Sequence, residues 1–180
     1  MRFLSCFLYI LLLGLLCFPF GRLMAKIPFR TDRFPFRPFP FEREGKLYEK
    51  IGIRGWQSKA PDISKLIPGI VPRKEIPRRP DAEALRRMIN ETCVAELTHA
   101  LLCLAGIELL PIWPGLGGLV MLMLYVFIGN LPFLLIQRYN RPRLVKLLRM
   151  TESRNSDFTR GKGAHYYEGL DSKQQERRRA

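Results

Sequence analysis

Residues 94–136 read VAELTHALLCLAGIELLPIWPGLGGLVMLMLYVFIGNLPFLLI: two apolar stretches, Val94 to Ile112 and Gly118 to Ile136, on either side of the turn Trp113-Pro114-Gly115. Each is long enough to cross the hydrocarbon core of a bilayer, about 30 Å, as a helix, so together they predict a transmembrane helical hairpin. The polar residues gather at its open end. Glu91, Thr92, Glu96 and His99 lie on the way in, and Asn130, Gln137, Arg138 and Asn140 on the way out. An ionisable side chain in a bilayer is costly unless it is paired or faces water, so a Glu and a His in a membrane helix mark where function is to be sought.

Outward from the hairpin the composition changes sign. The chain is 47% hydrophobic yet carries a formal net charge of +14. Lys and Arg number 17 between Arg22 and Thr92 and 12 between Gln137 and Ala180, against nine and five acids, while the hairpin from Val94 to Ile136 holds no Lys or Arg. This is the positive-inside pattern, and it puts both basic regions and the C-terminus in the cytoplasm and the hairpin turn outside. Basic flanks beside membrane segments account for the charge, so no nucleic acid is expected as partner. Once the apolar segments are set aside, little of the 180 residues is left for a separate water-soluble core. The four cysteines lie within or at the edge of apolar segments and form neither a disulfide framework nor a zinc spacing.

The predicted fold class is therefore mainly α: an integral membrane protein with an N-terminal helix, a transmembrane hairpin and a small membrane-hugging cytoplasmic cap. Four segments follow: residues 1–25 as anchor or signal, 26–81 as a basic Pro/Phe-rich cap, 82–150 as the hairpin with its polar motifs, and 151–180 as a polar tail. The tail lacks apolar periodicity and is expected to be disordered. Phe3 to Phe20 is an apolar run of 18 residues behind Arg2. Its length, and Leu23 where a small residue would precede a cut after Ala25, favour a retained anchor with its N-terminus outside over a cleaved signal. Leu16 argues against a lipoprotein site at Cys17.

In the cap, Phe29, Phe34, Phe36, Phe39 and Phe41 alternate with Arg30, Arg33, Arg37 and with Pro35, Pro38, Pro40. The prolines exclude a helix and a central strand. Such a segment suits the inner leaflet, with rings at headgroup level and arginines towards phosphates; a Pro-rich linker is the alternative. Leu47, Tyr48 and Ile51 predict a short amphipathic helix ended by Gly52, then an extended Ile53 to Trp56, with Trp56 anchoring the cap. A second proline-punctuated stretch, Pro68 to Pro80, leads to Asp81, an N-cap with Glu83 in the first turn. The helix behind it is expected from about Ala82 to about Leu110, with Leu85, Met88 and Ile89 as an amphipathic approach turn.

At about 100° per residue, Thr92, Glu96 and His99 fall within an arc of about 60°. Counted from the turn, His99 is 13 residues from Ile112 and Asn130 is 12 from Gly118; Glu91 is 21 from Ile112 and Arg138 is 20 from Gly118. At about 1.5 Å per residue these pairs share a level, which predicts that His99 meets Asn130 and Glu91 meets Arg138. Pro132 removes a backbone donor and leaves the Ile128 carbonyl open to another partner. Three readings of this end stand side by side. The pairs lock the helices together; or His99 is a general base oriented by the Glu96 carboxylate; or Glu96-x-x-His99 is half of a carboxylate-bridged metal site. The metal reading needs a second such motif, and His165 in the tail is the one other histidine, so no metal is expected. Gln137-Arg138-Tyr139-Asn140-Arg141-Pro142-Arg143 closes the last span. A stop-transfer flank explains its charges but not Gln137, Tyr139 and Asn140, and Arg138 and Arg141 have the fork geometry for the phosphates of coenzyme A or of lipids.

Three blocks, Phe41-Glu42 with Gly45-Lys46 and Arg54-x-Trp56, then Glu91-Thr92-x-x-Ala95-Glu96-Leu97-x-His99, then Asn130-x-Pro132 with Gln137 through Leu144, resemble the glycosyl-4,4'-diaponeurosporenoate acyltransferases. The resemblance runs from about Ile27 to Met150. It implies a multi-pass enzyme of the bacterial cell membrane that esterifies the sugar of a glycosylated C30 carotenoid acid with a fatty acyl group, the last step towards staphyloxanthin. No bound cofactor is implied; acyl-CoA or another activated acyl donor is the co-substrate. Membrane lipids, the glycosylated carotenoid or another glycolipid acceptor, and other enzymes of the carotenoid pathway are the implied partners. In this reading His99 is the base, Glu96 orients it, and Arg138 with Asn140 or Gln137 holds donor phosphate or the developing oxyanion. Glu91, Thr92, Asn130, Arg141 and Trp56 contact substrate. Val94, Ala100 and Gln57 depart from the family pattern near the acceptor, which keeps a different glycolipid open as substrate. The competing reading is a non-enzymatic membrane scaffold.

Overall fold

The computed structural model describes residues 1–57 and 81–179, and every regular element among them is helical. In chain order these are α1 (Arg2–Met24), a 3-10 helix (Pro40–Gly45), α2 (Lys46–Lys50), α3 (Ile53–Trp56) and α4 (Ala82–Ala105). A 3-10 turn (Gly106–Glu108) joins α4 to α5 (Leu109–Ile112); the return leg is α6 (Leu116–Leu124), a π-helical turn (Tyr125–Asn130) and α7 (Leu131–Arg179). Three helical runs, Arg2–Met24, Ala82–Ile112 and Leu116–Ser156, are long and apolar enough to cross a membrane.

Local chemistry sets the boundaries. Asp81 caps α4, its carboxylate accepting from the Ala84 N–H at 2.6 Å, with Glu83 in the first turn. Before Pro132 the ladder widens by one residue: the Leu131 N–H reaches the Val126 carbonyl, five back, and Pro132 has no donor to restore the ordinary register. The hairpin legs approach closely at Gly106, where a Cβ would sit 2.8 Å from Tyr125 Cδ1, so a larger residue would push the legs apart.

Phe3 meets Trp113 edge to face at 6.4 Å between centroids, the Tyr9 hydroxyl donates to the Ala105 carbonyl, and Asn90 bonds both the Ala25 carbonyl and the Phe29 N–H. α1 therefore runs antiparallel to α4. The N-terminus and the hairpin turn share one end of the bundle, and the cap lies at the other. Three small cores hold this arrangement: Cys6, Leu109 and Leu122 at the turn end, Leu85, Ile89 and Leu144 at the open end, and Tyr48, Ile53 and Tyr139 where the cap meets α7.

Two expectations are corrected. Ile53–Trp56 is a helical turn rather than extended, because Gly52 adopts φ +69° and starts a new turn whose buried member is Ile53. The tail from Thr151 is not irregular, since α7 continues to Arg179; extending a helix already nucleated requires fixing only one more residue per hydrogen bond. The stretch from Pro68 to Pro80 lies outside the described residues.

Candidate active site

The open end of the hairpin holds two carboxylates and two guanidiniums, all buried, whose formal charges sum to zero: Glu42, Glu96, Arg138 and Arg141. α7 supplies both arginines, three residues apart and therefore on neighbouring faces; α4 supplies Glu96; the cap supplies Glu42. Arg138 Nε and Nη2 hold the two oxygens of Glu42 at 2.5 and 3.0 Å, while Nη1 holds Glu96 at 2.5 Å. Its remaining two donors go to the Pro35 and Arg37 carbonyls, so all five are bonded. Arg141 pairs with the other oxygen of Glu96 and donates to the Thr92 hydroxyl, the Thr92 carbonyl and the Phe36 carbonyl. The prolines of the Phe29–Phe41 stretch explain why three successive carbonyls are available: a chain excluded from regular structure points its acceptors at whatever donors it covers. Phe39 and Phe36 lie over the Arg138 and Arg141 guanidiniums at 4.6 and 5.3 Å. The segment is thus a lid on the arginines and not a linker.

Glu42 is the keystone of that lid. It accepts from the Tyr48 hydroxyl at 2.5 Å and from the Phe39 N–H at 2.8 Å, besides Arg138. Burial alone would raise its carboxyl, but the hydrogen bonds from Arg138, Tyr48 and the Phe39 N–H outweigh burial and hold it below the ordinary carboxylate value. The Tyr48 hydroxyl is pushed up, by burial first and by the Glu42 carboxylate second.

Deeper along the same hairpin, His99 Nδ1 lies 3.0 Å from Asn130 Oδ1 and the imidazole stacks on Phe133, centroids 5.1 Å apart. Asn130 is itself oriented, since its Nδ2 donates to the Tyr125 carbonyl at 2.9 Å from within the π turn. The oxygen is then the atom that faces His99 and can only accept. In the neutral ring the proton sits on Nδ1 and the lone pair on Nε2, the tautomer a general base needs.

Between α4 and α7, at the cap end, is a cavity of about 320 Å³. Met88, Leu144 and Leu147 form its apolar wall, and Glu91, Thr92, Gln137, Asn140 and Arg143 its polar one. Arg143 lies at its edge, half exposed, with its guanidinium 3.7 Å over the Tyr139 ring and bonded to Glu49 at 2.6 Å. Glu49 also accepts from Arg54.

The structure thus sorts the residues singled out in the sequence into three places. Glu96, Arg138, Arg141 and Thr92 form the buried network; His99 and Asn130 form the deeper pair; Glu91, Gln137 and Asn140, with Thr92, line the cavity. Trp56 is in none of these. It packs at the cap–α7 joint with Tyr48, Ile53 and Tyr139 and donates to the Ile51 carbonyl. The pairing of Glu91 with Arg138 is corrected: Arg138 is bonded to Glu42 and Glu96. A depth count fixes height but not direction, and Glu91 is five residues, or about 140° of helix, away from Glu96. Both oxygens of Glu96 accept from arginines, and it is Asn130 that bonds His99 Nδ1. Glu42, Tyr48 and Phe133 are not among the site residues expected from the sequence. The Phe41-Glu42 block was the one signal that pointed to Glu42.

Known proteins are similar to this sequence. The family model described as glycosyl-4,4'-diaponeurosporenoate acyltransferase matches residues 32–150, which span the lid, the network, the His99–Asn130 pair and the cavity. Curated proteins of that name from Staphylococcus aureus strains bovine RF122 / ET3-1 and MRSA252 are each 32% identical over 155 residues, covering 83% of this chain and 89% of the relative. The protein of that name from strain N315 is 31% identical over 154 residues. No solved structure matches. With two-thirds of its residues under the family model and relatives of this identity and coverage, the chain belongs to the glycosyl-4,4'-diaponeurosporenoate acyltransferase family.

Proposed function

We propose that this acyltransferase moves a fatty acyl group from an activated thioester to a sugar hydroxyl of a glycosylated C30 carotenoid acid, at the cytoplasmic face of the bacterial cell membrane, with His99 as general base. The observation that carries the reading is the oriented His99–Asn130 pair, set deeper in the hairpin than the buried ion network. Nε2 takes the proton of the sugar hydroxyl as its oxygen attacks the thioester carbonyl. The C–S bond then breaks, the proton passes from the imidazolium to the departing thiolate, and an ester and a thiol remain.

The membrane setting is supported by the surfaces of the helices: Leu11, Leu15, Leu104 and Phe127 are 49%, 65%, 63% and 56% exposed, an apolar belt that water solvates poorly. The basic cap and the C-terminus belong in the cytoplasm and the Trp113 turn outside, by the distribution of Lys and Arg. Glu96, Arg138 and Arg141 are positioning residues in this scheme. They fix α4 against α7 and hold the lid, which sets the level of His99 relative to the cavity. The cavity takes the polar part of a substrate beside the membrane surface.

The reading is tested by extracting lipids from cells that make the glycosylated carotenoid, with and without this protein, and weighing them by mass spectrometry. A new species heavier than the glycoside by one fatty acid less water supports it. A new acyl ester of another glycolipid, with the carotenoid glycoside unchanged, moves the acceptor; no new ester overturns the enzyme reading in favour of a scaffold.

A further inference from the structure

We propose that the cavity between α4 and α7 is the donor site, and that it takes the phosphopantetheine arm of an acyl thioester, with Arg143 as its phosphate ligand. This rests on acyl transfer at His99.

The first support is geometric. On α4, His99 is seven residues beyond Thr92, which brings it back to the same side of the helix about 10 Å deeper. On α7, Phe133 is four residues before Gln137 and shares its face. The seam that opens as a cavity at the cap end therefore leads to the stacked His99–Phe133 pair. The residue on that side of α4 between Glu91 and His99 is Ala95, four from each, so a small side chain stands on the route. The buried ion network joins α4 to α7 beside this route, through Glu96 and through Thr92, which is also part of the cavity wall.

The second support is chemical. The arm has a phosphate at one end, two amides, a hydroxyl and a branched apolar segment along its length, and the thioester at the other end. The Gln137 and Asn140 carboxamides each offer a donor and an acceptor to such amides, and neither is bonded to another described residue. Glu91 can accept from the hydroxyl, and Met88, Leu144 and Leu147 suit the branched segment. Among the described residues no aromatic ring lines the cavity as a platform for a sugar face. For the phosphate, Arg138 and Arg141 are ill placed, because both are buried and Arg138 has every donor in use. Arg143 is at the edge of the cavity, and its partner Glu49 keeps Arg54 if Arg143 turns away. Exposed pairs of this kind are easily exchanged, so the guanidinium is free to change acceptor when a phosphate arrives.

The test uses the full chain in lipid nanodiscs, with coenzyme A and 4'-phosphopantetheine as equilibrium-binding probes. Arg143→Gln and Asn140→Leu should each weaken binding of both probes about tenfold or more, and His99→Ala should leave binding as in the wild type. In turnover assays the same two substitutions should raise KM for the thioester and not for the sugar acceptor. Running acyl-CoA against the same acyl group on an acyl carrier protein identifies the source, as the arm is common to both. Ala95→Leu should retain coenzyme A binding and lose transfer. Wild-type binding of neither probe, or binding insensitive to both cavity substitutions, overturns the proposal. A raised KM confined to the acceptor assigns the cavity to the sugar instead. If His99→Ala is fully active while the cavity substitutions still weaken probe binding, the catalytic reading fails and the donor site stands.

Discussion

His99 is held by Asn130 across the hairpin, Nδ1 to Oδ1 at 3.0 Å, and Asn130 is held in turn by the Tyr125 carbonyl at 2.9 Å. The second bond decides the meaning of the first. It commits the amide nitrogen elsewhere, presents an acceptor to the imidazole, and so selects the tautomer with its lone pair on Nε2. The π turn before Pro132 brings the Tyr125 carbonyl and the Asn130 amide together, so a proline two residues beyond Asn130 contributes to the chemistry of the ring.

Asn130→Leu should therefore lower kcat by about tenfold or more with little change in either KM, because the base remains but its tautomer is no longer selected. Asn130→Asp keeps an oxygen acceptor at that place and should recover more activity than the leucine variant. Equal losses for both, or a loss confined to KM, would show that Asn130 does not act through His99.

Glu42 ties the lid to the hairpin, and its removal leaves the Arg138–Glu96–Arg141 group with an uncompensated buried positive charge. Breaking a buried pair in this way costs about 3–5 kcal/mol. Glu42→Ala should sharply reduce the amount of folded protein in membranes, whereas Glu91→Gln should leave it near the wild-type level, since Glu91 lies outside the network. Quantitative immunoblotting of the membrane fraction checks the contrast, and the opposite order would mean that the depth count had placed the pair correctly.

The pH dependence of lid docking follows from the same residue. The Glu42 carboxyl lies below its ordinary value of 4.5 in the folded state. A depressed carboxylate contributes stability that is present above the unfolded value and lost as pH falls through the folded one. The amides of Arg37, Phe39 and Glu42 should stay protected from hydrogen exchange at pH 5 and become labile only at pH values below 4.5. Loss of protection between pH 7 and 5 would contradict the assignment.

Much of this was legible in the sequence where a period or a count carries the information. The two apolar stretches, the cap at Asp81 and the level of His99 with Asn130 all follow from spacing along one helix or from a symmetric count around one turn. What spacing could not supply was direction. Glu91 and Glu96 are both within reach of Arg138 in height, and the long arginine side chain makes up the difference, so only the azimuth separates them. The part played by Glu42 was hidden for another reason. It is 96 residues from Arg138 along the chain and sits behind a proline-rich stretch without period, where nothing local tells a lid from a linker. The cavity residues were recognisable as polar side chains unexplained by a stop-transfer flank, but not as one wall of one space.

Orientation in the membrane is open to a direct chemical check. Leu116 is 76% exposed beside the hairpin turn, and Lys50 is exposed on the cap. A membrane-impermeant thiol reagent applied to intact cells should label Leu116→Cys and spare Lys50→Cys, with both labelled once the membrane is opened. Labelling of Lys50→Cys alone in intact cells would invert the topology and put the cavity outside.

The account turns on His99 as the base, and its most direct test is the acylated product formed by membranes carrying His99→Ala, measured against the amount of inserted protein. Loss of a positioned base lowers rate by about 10²–10⁴-fold. The account predicts a fall of at least about two orders of magnitude at unchanged protein level; near-full product from His99→Ala at normal abundance would contradict it and make the His99–Asn130 contact a lock between helices.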